Sequence, residues 1–217
     1  MNKTATLVVD SEAQAVRTAY CEVDSRTALT RGLADYLATI SGTVPGGREL
    51  RFAAVFDTWA EAEKSAVYPA ALARSEGPGM YDASRFVPGI SERDKIDANN
   101  YLLQISEYTM YVVVELWSTD IAARLGLVKM CEDAFNPVDF MYGFKLELPF
   151  YYGLRATYAL KSSIYSDSEE TAIQRYRQAT FTLEGQVPVV RLVTYPDATP
   201  RLRLDEVGPN VIVRGSV

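Results

Sequence analysis

The run Ile105–Ser118, ISEYTMYVVVELWS, constrains the fold more than any other stretch. Tyr108, Met110, Val112, Val114 and Leu116 recur at every second position, and Glu107, Thr109, Tyr111, Val113 and Glu115 alternate with them. This period of two predicts a strand packed hard on one face and partly exposed on the other. The run passes without a spacer into a helix-like segment. Ser118 or Thr119 can cap that helix through a side-chain oxygen, and Asp120 adds negative charge near its positive end. Ile121, Leu125, Val128, Cys131 and Phe135 mark its apolar stripe, and Pro137 disfavours helical geometry at Asn136, which ends it.

The other elements are read around this pair. Leu29, Leu33, Tyr36, Leu37 and Ile40 stand three and four residues apart, the stripe of an amphipathic helix over residues 26–40. Ser41-Gly42 stops it and Pro45-Gly46-Gly47 makes a turn. ELRFAAVFD then predicts one strand, and residues 58–75 a second helix capped by Asp57 or Thr58 and kinked or ended at Pro69. Residues 76–100 are rich in Gly, Pro, Asp and Ser and read as a long loop of the kind that is functional, ordered by a partner or disordered. FKLELP, RATYALKSSIY and RQATFTLEGQVPVVRLV are three further strands. In the last, Phe181, Leu183, Val187 and Val189 share a face with Gly185. The tail, with its short alternating runs RLRLD and VIV, predicts either a closing hairpin or an arm that adds to a neighbouring subunit's sheet edge.

The expected fold is therefore α+β: a mostly antiparallel sheet with packed helices, a long central loop and a C-terminal arm. The chain reads as a single structural domain over 1–217. Within it, 1–75 form a helical or mixed N-terminal part, 76–100 an extended loop, 101–195 the α+β core and 196–217 the arm.

Composition narrows the function classes. With 217 residues and 48% hydrophobic content the chain can bury an ordinary core. The opening MNKTATLVVDSEAQAV has no basic start, apolar stretch and small-residue cleavage site, so a soluble protein made in the cytosol, not a membrane protein, is expected. A formal net charge of −6 without any Lys/Arg cluster argues against tight gripping of nucleic acid. There is no histidine, which removes the commonest general base and metal ligand. Cys21 and Cys131 have neither metal-knuckle nor redox-pair spacing; small buried residues are the favoured reading, with a disulfide between them the alternative.

No motif supplies chemistry, so no catalytic residue, cofactor or metal is assigned. VPGGREL lacks the ending of a phosphate loop and reads as a turn. SDSEET lacks calcium-loop spacing and reads as a solvated loop between strands. Glu61 and Glu63 do not converge on a helix. The dense aromatics of MYGF, PFYYG and YRQATF read as an interface in preference to a base- or sugar-stacking surface. Candidate subunit-interface residues are Tyr81, Arg85 and Phe86 in the central loop, Arg175 and Arg177 before the last long strand, and Arg201 and Arg203 in the tail.

The order VVVELWS, MCEDAFNP, GFKLELPFYYG, ATYALKSSIY and RYRQATFTLEGQVPVV resembles the tail terminator and tail-completion proteins of tailed bacteriophages, in particular the sheath-stabilising neck proteins of contractile tails. The resemblance covers Ile105 to Val193. It implies a virion protein that forms a homohexameric ring. Such a ring ends the tail tube, holds the last disc of sheath protein and joins the tail to the head–tail connector or adaptor proteins, with DNA passing through the channel without specific binding. The helical first half, the central loop and the tail depart from that pattern. A head-completion or adaptor protein at the portal, and a small cytosolic α+β enzyme or ligand-binding domain, are the alternatives.

Overall fold

The computed structural model describes residues 5–9, 17–19, 23–43, 47, 49–64, 67–82, 100–119, 123–135, 143–170, 175–194, 201–207 and 210–216. The chain divides into two compact units: Met1–Glu22, Ala83–Ser106 and Val189–Val217 form one, and Val23–Asp82 with Glu107–Pro188 form the other, larger one. Its strands are β1 (Ala5–Val9), β2 (Arg17–Ala19), β3 (Ser41–Thr43), β4 (Glu49–Arg51), β5 (Ala54–Phe56), β6 (Ala70–Asp82), β7 (Asn100–Ser118), β8 (Phe144–Leu148), β9 (Leu154–Glu170), β10 (Arg175–Thr194), β11 (Arg201–Val207) and β12 (Asn210–Ser216). The helices are α1 (Ser25–Thr39), α2 (Trp59–Lys64) and α3 (Arg124–Ala134). The α+β class expected from sequence is what the chain adopts.

In the larger unit the sheet order is β5-β6-β7-β10-β9-β8. The pairs β6/β7, β9/β10 and β8/β9 are antiparallel, and β5 runs parallel to β6. Helix α1 starts where Asp24 accepts hydrogen bonds from the Thr27 backbone N–H and Oγ1, both at 2.9 Å, satisfying an otherwise orphan helix donor. Its Leu29, Leu33 and Leu37 are fully buried, as their spacing predicts, while Tyr36 and Ile40 are half-buried. The helix lies on one sheet face: the Tyr158 hydroxyl of β9 donates to the Leu29 carbonyl at 2.8 Å, and Gly185 of β10 lets Leu29 approach. Helix α3 shares that face. Phe135 beyond its last turn stacks on Phe144 of β8 and meets Phe181 of β10 edge-on, and the Tyr36 hydroxyl reaches the Ala134 carbonyl at 3.3 Å.

The opposite face divides in two. Directly paired residues of antiparallel strands share a face, so Ala70, Leu72 and Arg74 of β6 lie with Trp117, Glu115 and Val113 of β7. Trp117 and Leu72 pack there with Ala62 of α2, and Trp59 meets Trp117 edge-on. Within this layer the buried Glu115 carboxylate accepts from Arg74 Nε at 2.9 Å and pairs with Nη2 at 2.8 Å. Over β8–β10 the same face is polar and half-buried or exposed, with Thr180, Thr182, Glu184 and Gln186 in a row and Lys161 paired to Glu184 at 3.2 Å.

Four sequence expectations change. Residues 70–75 are strand, not the continuation of a helix: α2 stops at Lys64, and Ala70–Ala73 are buried on both faces, where small side chains admit α1 on one side and Trp117 on the other. Residues 76–82, expected in a loop, continue β6, and Asn100 already belongs to β7; residues 83–99 lie outside the described ones. ELRFAAVFD is two short strands in different sheets, β4 pairing β3 and β5 pairing β6. SDSEE of the expected loop lies at the end of β9.

The strand-to-helix weld also fails. Helix α3 begins at Arg124, its N-cap position is Ala123, and no side chain caps it. The buried side of α3 is carried by Leu127, Met130, Cys131 and Phe135, while Val128 is only half-buried. Met130 meets Gly42 of the β3–β4 hairpin, whose turn at Gly47 has φ +79°.

In the smaller unit the tail is a hairpin: β11 pairs antiparallel with β12, and β1 adds to β12 in parallel, giving the order β1-β12-β11. Here β2 pairs with Leu192–Thr194 of β10.

Candidate functional site

The described part of the expected interface centres on the far end of the β6–β7 ribbon. Gly77-Pro78-Gly79 interrupts β6, Gly77 taking φ +72°, and the register shifts between Glu76 and Met80. The shift brings Tyr81 directly opposite Tyr108 and Met80 opposite Thr109. Tyr81 and Met80 are 69% and 64% exposed, and Tyr111, on the same ribbon face as Met80, is also exposed. Both faces of one ribbon thus present large apolar side chains to solvent, a feature that marks binding surfaces when such residues cluster.

Tyr81 is held, not free. Its ring packs on that of buried Tyr108 with centroids 4.9 Å apart and planes tilted by 54°. Gly79 is what admits this arrangement, because a Cβ there would stand 1.9 Å from the Tyr108 hydroxyl oxygen. On the α1 side the Arg26 Nε donates to Ser75 Oγ at 2.8 Å, tying the helix start to β6. Burial pushes the Tyr108 hydroxyl up from its ordinary value; Tyr81 adds to this and Arg26 opposes it. The hydroxyl is therefore neutral across physiological pH, and the pair offers aromatic area with polar tips, the combination that tyrosine brings to protein interfaces.

The remaining candidates are placed by their backbones. Arg175 and Arg177 stand in β10 opposite Glu170 and Ser168 of β9. Arg201 and Arg203 stand in β11, opposite Ser216 and Arg214 of β12. Arg85 and Phe86 lie outside the described residues. Tyr81 belongs to the larger unit and Arg201 and Arg203 to the smaller. Met80 and Tyr111 were not among the expected interface residues. Tyr111 carried a signal, since it falls on the outward set of the β7 alternation; Met80 carried none beyond its neighbouring glycine.

Other groups singled out in the sequence prove internal. Tyr151 of PFYYG is buried, its hydroxyl donating to the Pro188 carbonyl at 3.1 Å and standing 3.3 Å from Ser25 Oγ. Tyr158 is likewise a brace, and burial drives its hydroxyl far above the ordinary range. This part of the tyrosine density serves the fold, which corrects its reading as interface. Cys131 is a free, buried thiol that burial pushes well up, away from reactivity; Cys21 lies outside the described residues. Among the described residues no three His, Cys, Asp or Glu side chains converge as a metal site, and no helix is long and apolar enough to cross a membrane. The chain matches no model of a known protein family and no curated protein.

Proposed function

We propose that this chain is an assembly subunit: a virion structural protein that forms a homohexameric ring at the neck of a tailed bacteriophage. In that role it ends the tail tube, stabilises the end of the sheath and joins the tail to the connector or adaptor proteins of the head. The neck assignment rests on the sequence resemblance over Ile105 to Val193. The assembly role draws on one structural observation, the exposed Met80, Tyr81 and Tyr111 on one ribbon, where packing onto Tyr108 pre-orders Tyr81. Pre-ordered aromatic side chains lose little freedom on docking, which is why they serve as anchors. The net charge of −6 suits a subunit past which DNA slides without being gripped.

The test is the mass of the purified chain in solution, alone and mixed with purified tail tubes. The native chain is expected to form a closed oligomer alone or on tube ends. Tyr81→Ser combined with Met80→Ser should reduce it to single chains with an unchanged circular dichroism spectrum, since truncating an anchoring tyrosine costs about 2 kcal/mol or more, roughly thirtyfold in affinity. A native chain that stays monomeric in both settings refutes the proposal.

A further inference from the structure

Strand β8 closes one end of the sheet of the larger unit, with no strand on its outer side among the described residues. Its five residues, FKLEL, pair with Leu154–Tyr158 of β9 in an antiparallel register without a shift, and none of them is Gly or Pro. Alternation puts Phe144, Leu146 and Leu148 on the face that α1 and α3 cover, where Phe144 and Leu148 are buried and Leu146 is half-buried. Lys145 and Glu147 lie on the other face and are exposed. The Glu147 carboxylate accepts from Arg155 of β9 at 3.0 Å. Lys145 stands opposite Thr157 and meets no carboxylate among the described residues.

A lysine on an edge strand ordinarily repels strand addition, because the incoming strand leaves the charge without a partner. FKLEL escapes this because it is its own complement. Laid antiparallel on itself about Leu146, it sets Lys145 of each copy against Glu147 of the other, Leu146 against Leu146 and Phe144 against Leu148. Centring the pair on Lys145 or on Glu147 puts like charges together, and parallel pairing in register does so twice. In the antiparallel arrangement each Glu147 lies between Arg155 of its own chain and Lys145 of the other, so the unpartnered lysine gains an anion. The other terminal edges lack this property. Strands β3, β4 and β5 have three residues each, and β1, ATLVV, carries no charge to set a register. Strand β11 laid on itself about Leu204 matches Arg203 with Asp205 but sets Leu202 against Glu206. Beyond Leu72 the edge of β6 is broken by Gly77-Pro78-Gly79. Beyond Tyr158 the edge of β9 starts at a register shift, and its Lys161 already pairs with Glu184.

We propose that β8 is a self-association edge whose partner is a second copy of this chain: two copies join β8 to β8, antiparallel and centred on Leu146, and their sheets become one. Backbone hydrogen bonds supply the adhesion, and the two Lys145–Glu147 pairs fix direction and register. The same patch serves both copies, so the contact is two-fold and closes at two chains. It is therefore distinct from a ring contact and does not rest on the ring reading; the exposed side chains of the β6–β7 ribbon lie elsewhere in the sheet order. Five paired residues make an interface of the small, weak class, so pairing appears at about 0.1 mM and above, not at micromolar concentration.

The test uses the full chain carrying Met80→Ser, Tyr81→Ser and Cys21→Ser, which takes the ribbon surface and the second thiol out of play. In this background Lys145→Glu and Glu147→Lys each set like charges face to face, and by sedimentation equilibrium each should pair only at roughly tenfold higher concentration or more. An equimolar mixture of the two, and the double variant Lys145→Glu/Glu147→Lys, restore opposite charges and should pair as the background chain does. Geometry is read separately. A residue at the two-fold centre faces itself with Cα atoms about 5 Å apart, within disulfide reach, so Leu146→Cys should link two copies on mild oxidation. At about 0.5 mM it should do so at least tenfold faster than Glu63→Cys on the exposed side of α2. Undiminished pairing by either single charge variant, no recovery in the mixture, Leu146→Cys linking no faster than Glu63→Cys, or a background chain that stays single at that concentration each overturns the proposal. None of these results bears on the ring reading, which the native chain and tail tubes decide.

Discussion

Gly32 tests the packing of α1 with unusual clarity, because helix propensity and packing give opposite signs. Replacing an interior helical glycine by alanine ordinarily stabilises by about 1 kcal/mol. At Gly32 the added Cβ would stand 2.3 Å from Leu148 Cδ2 and 3.0 Å from the Tyr158 hydroxyl oxygen. Carbon atoms settle near ~3.6 Å, so the first contact must open by roughly 1.3 Å. Leu148 is fully buried and Tyr158 is anchored to the Leu29 carbonyl, so neither can retreat without loss. Overpacking of this kind costs about 1–3 kcal/mol; taking ~2.5 kcal/mol and subtracting the propensity gain leaves a net destabilisation of ~1.5 kcal/mol. With a urea slope of ~2 kcal/mol/M, the unfolding midpoint should fall by about 0.7 M. Leu148→Val shortens the obstructing side chain, so Gly32→Ala in that background should show a favourable coupling of about 1 kcal/mol or more. A Gly32→Ala midpoint at or above that of the native chain, or strict additivity in the double variant, refutes the account.

Asp24→Ala should cost about 1 kcal/mol by removing the α1 cap. Burial works to raise the Asp24 carboxyl, but the hydrogen bonds from Thr27 outweigh it and hold the group below its ordinary value. Its contribution is therefore present above about pH 4 and is lost as pH falls through the folded value, so urea midpoints of the native chain and Asp24→Ala should converge in acid; a gap that widens there contradicts the cap. Cys131, in a Cys21→Ser background, should react with a disulfide reagent only when urea unfolds the chain, and equal rates folded and unfolded would show that it is not buried.

What the sequence revealed divides by how many neighbours each residue answers to. Helix α1 buries one stripe against one sheet face, so Leu29, Leu33 and Leu37 declare it by spacing alone. The early part of β7 behaves similarly, Tyr108 and Met110 being buried while Thr109 and Tyr111 are not. From Val112 to Ser118, however, both faces are covered, and alternation vanishes. The same two-sided burial hid the start of β6, where Ala70–Ala73 mimic a helix because alanine and leucine favour helices in isolation. Only pairing with β5 and β7 turns this segment into strand, and that partner information is remote in sequence. The helix cap expected at Ser118 failed for a related reason: Ser118 is buried as the last residue of β7, and α3 does not begin until Arg124.

The interface candidates show where such reading stops. A tyrosine contributes the same ring and hydroxyl whether it braces a core or anchors a partner, so composition alone cannot sort the two. Position relative to small residues does sort them here. Tyr158 points its hydroxyl at the α1 backbone, opposite Gly185, where the missing side chain lets the helix descend onto the sheet. Tyr81 stands just beyond Gly79, where the missing side chain lets Tyr108 fill the space beneath the ribbon and lift Tyr81 into solvent. One glycine draws a ring inward and the other pushes one out. Gly79→Ala is thus a change at an assembly surface made without touching an exposed residue. It must displace Tyr108, and with it the tilted ring contact that orders Tyr81.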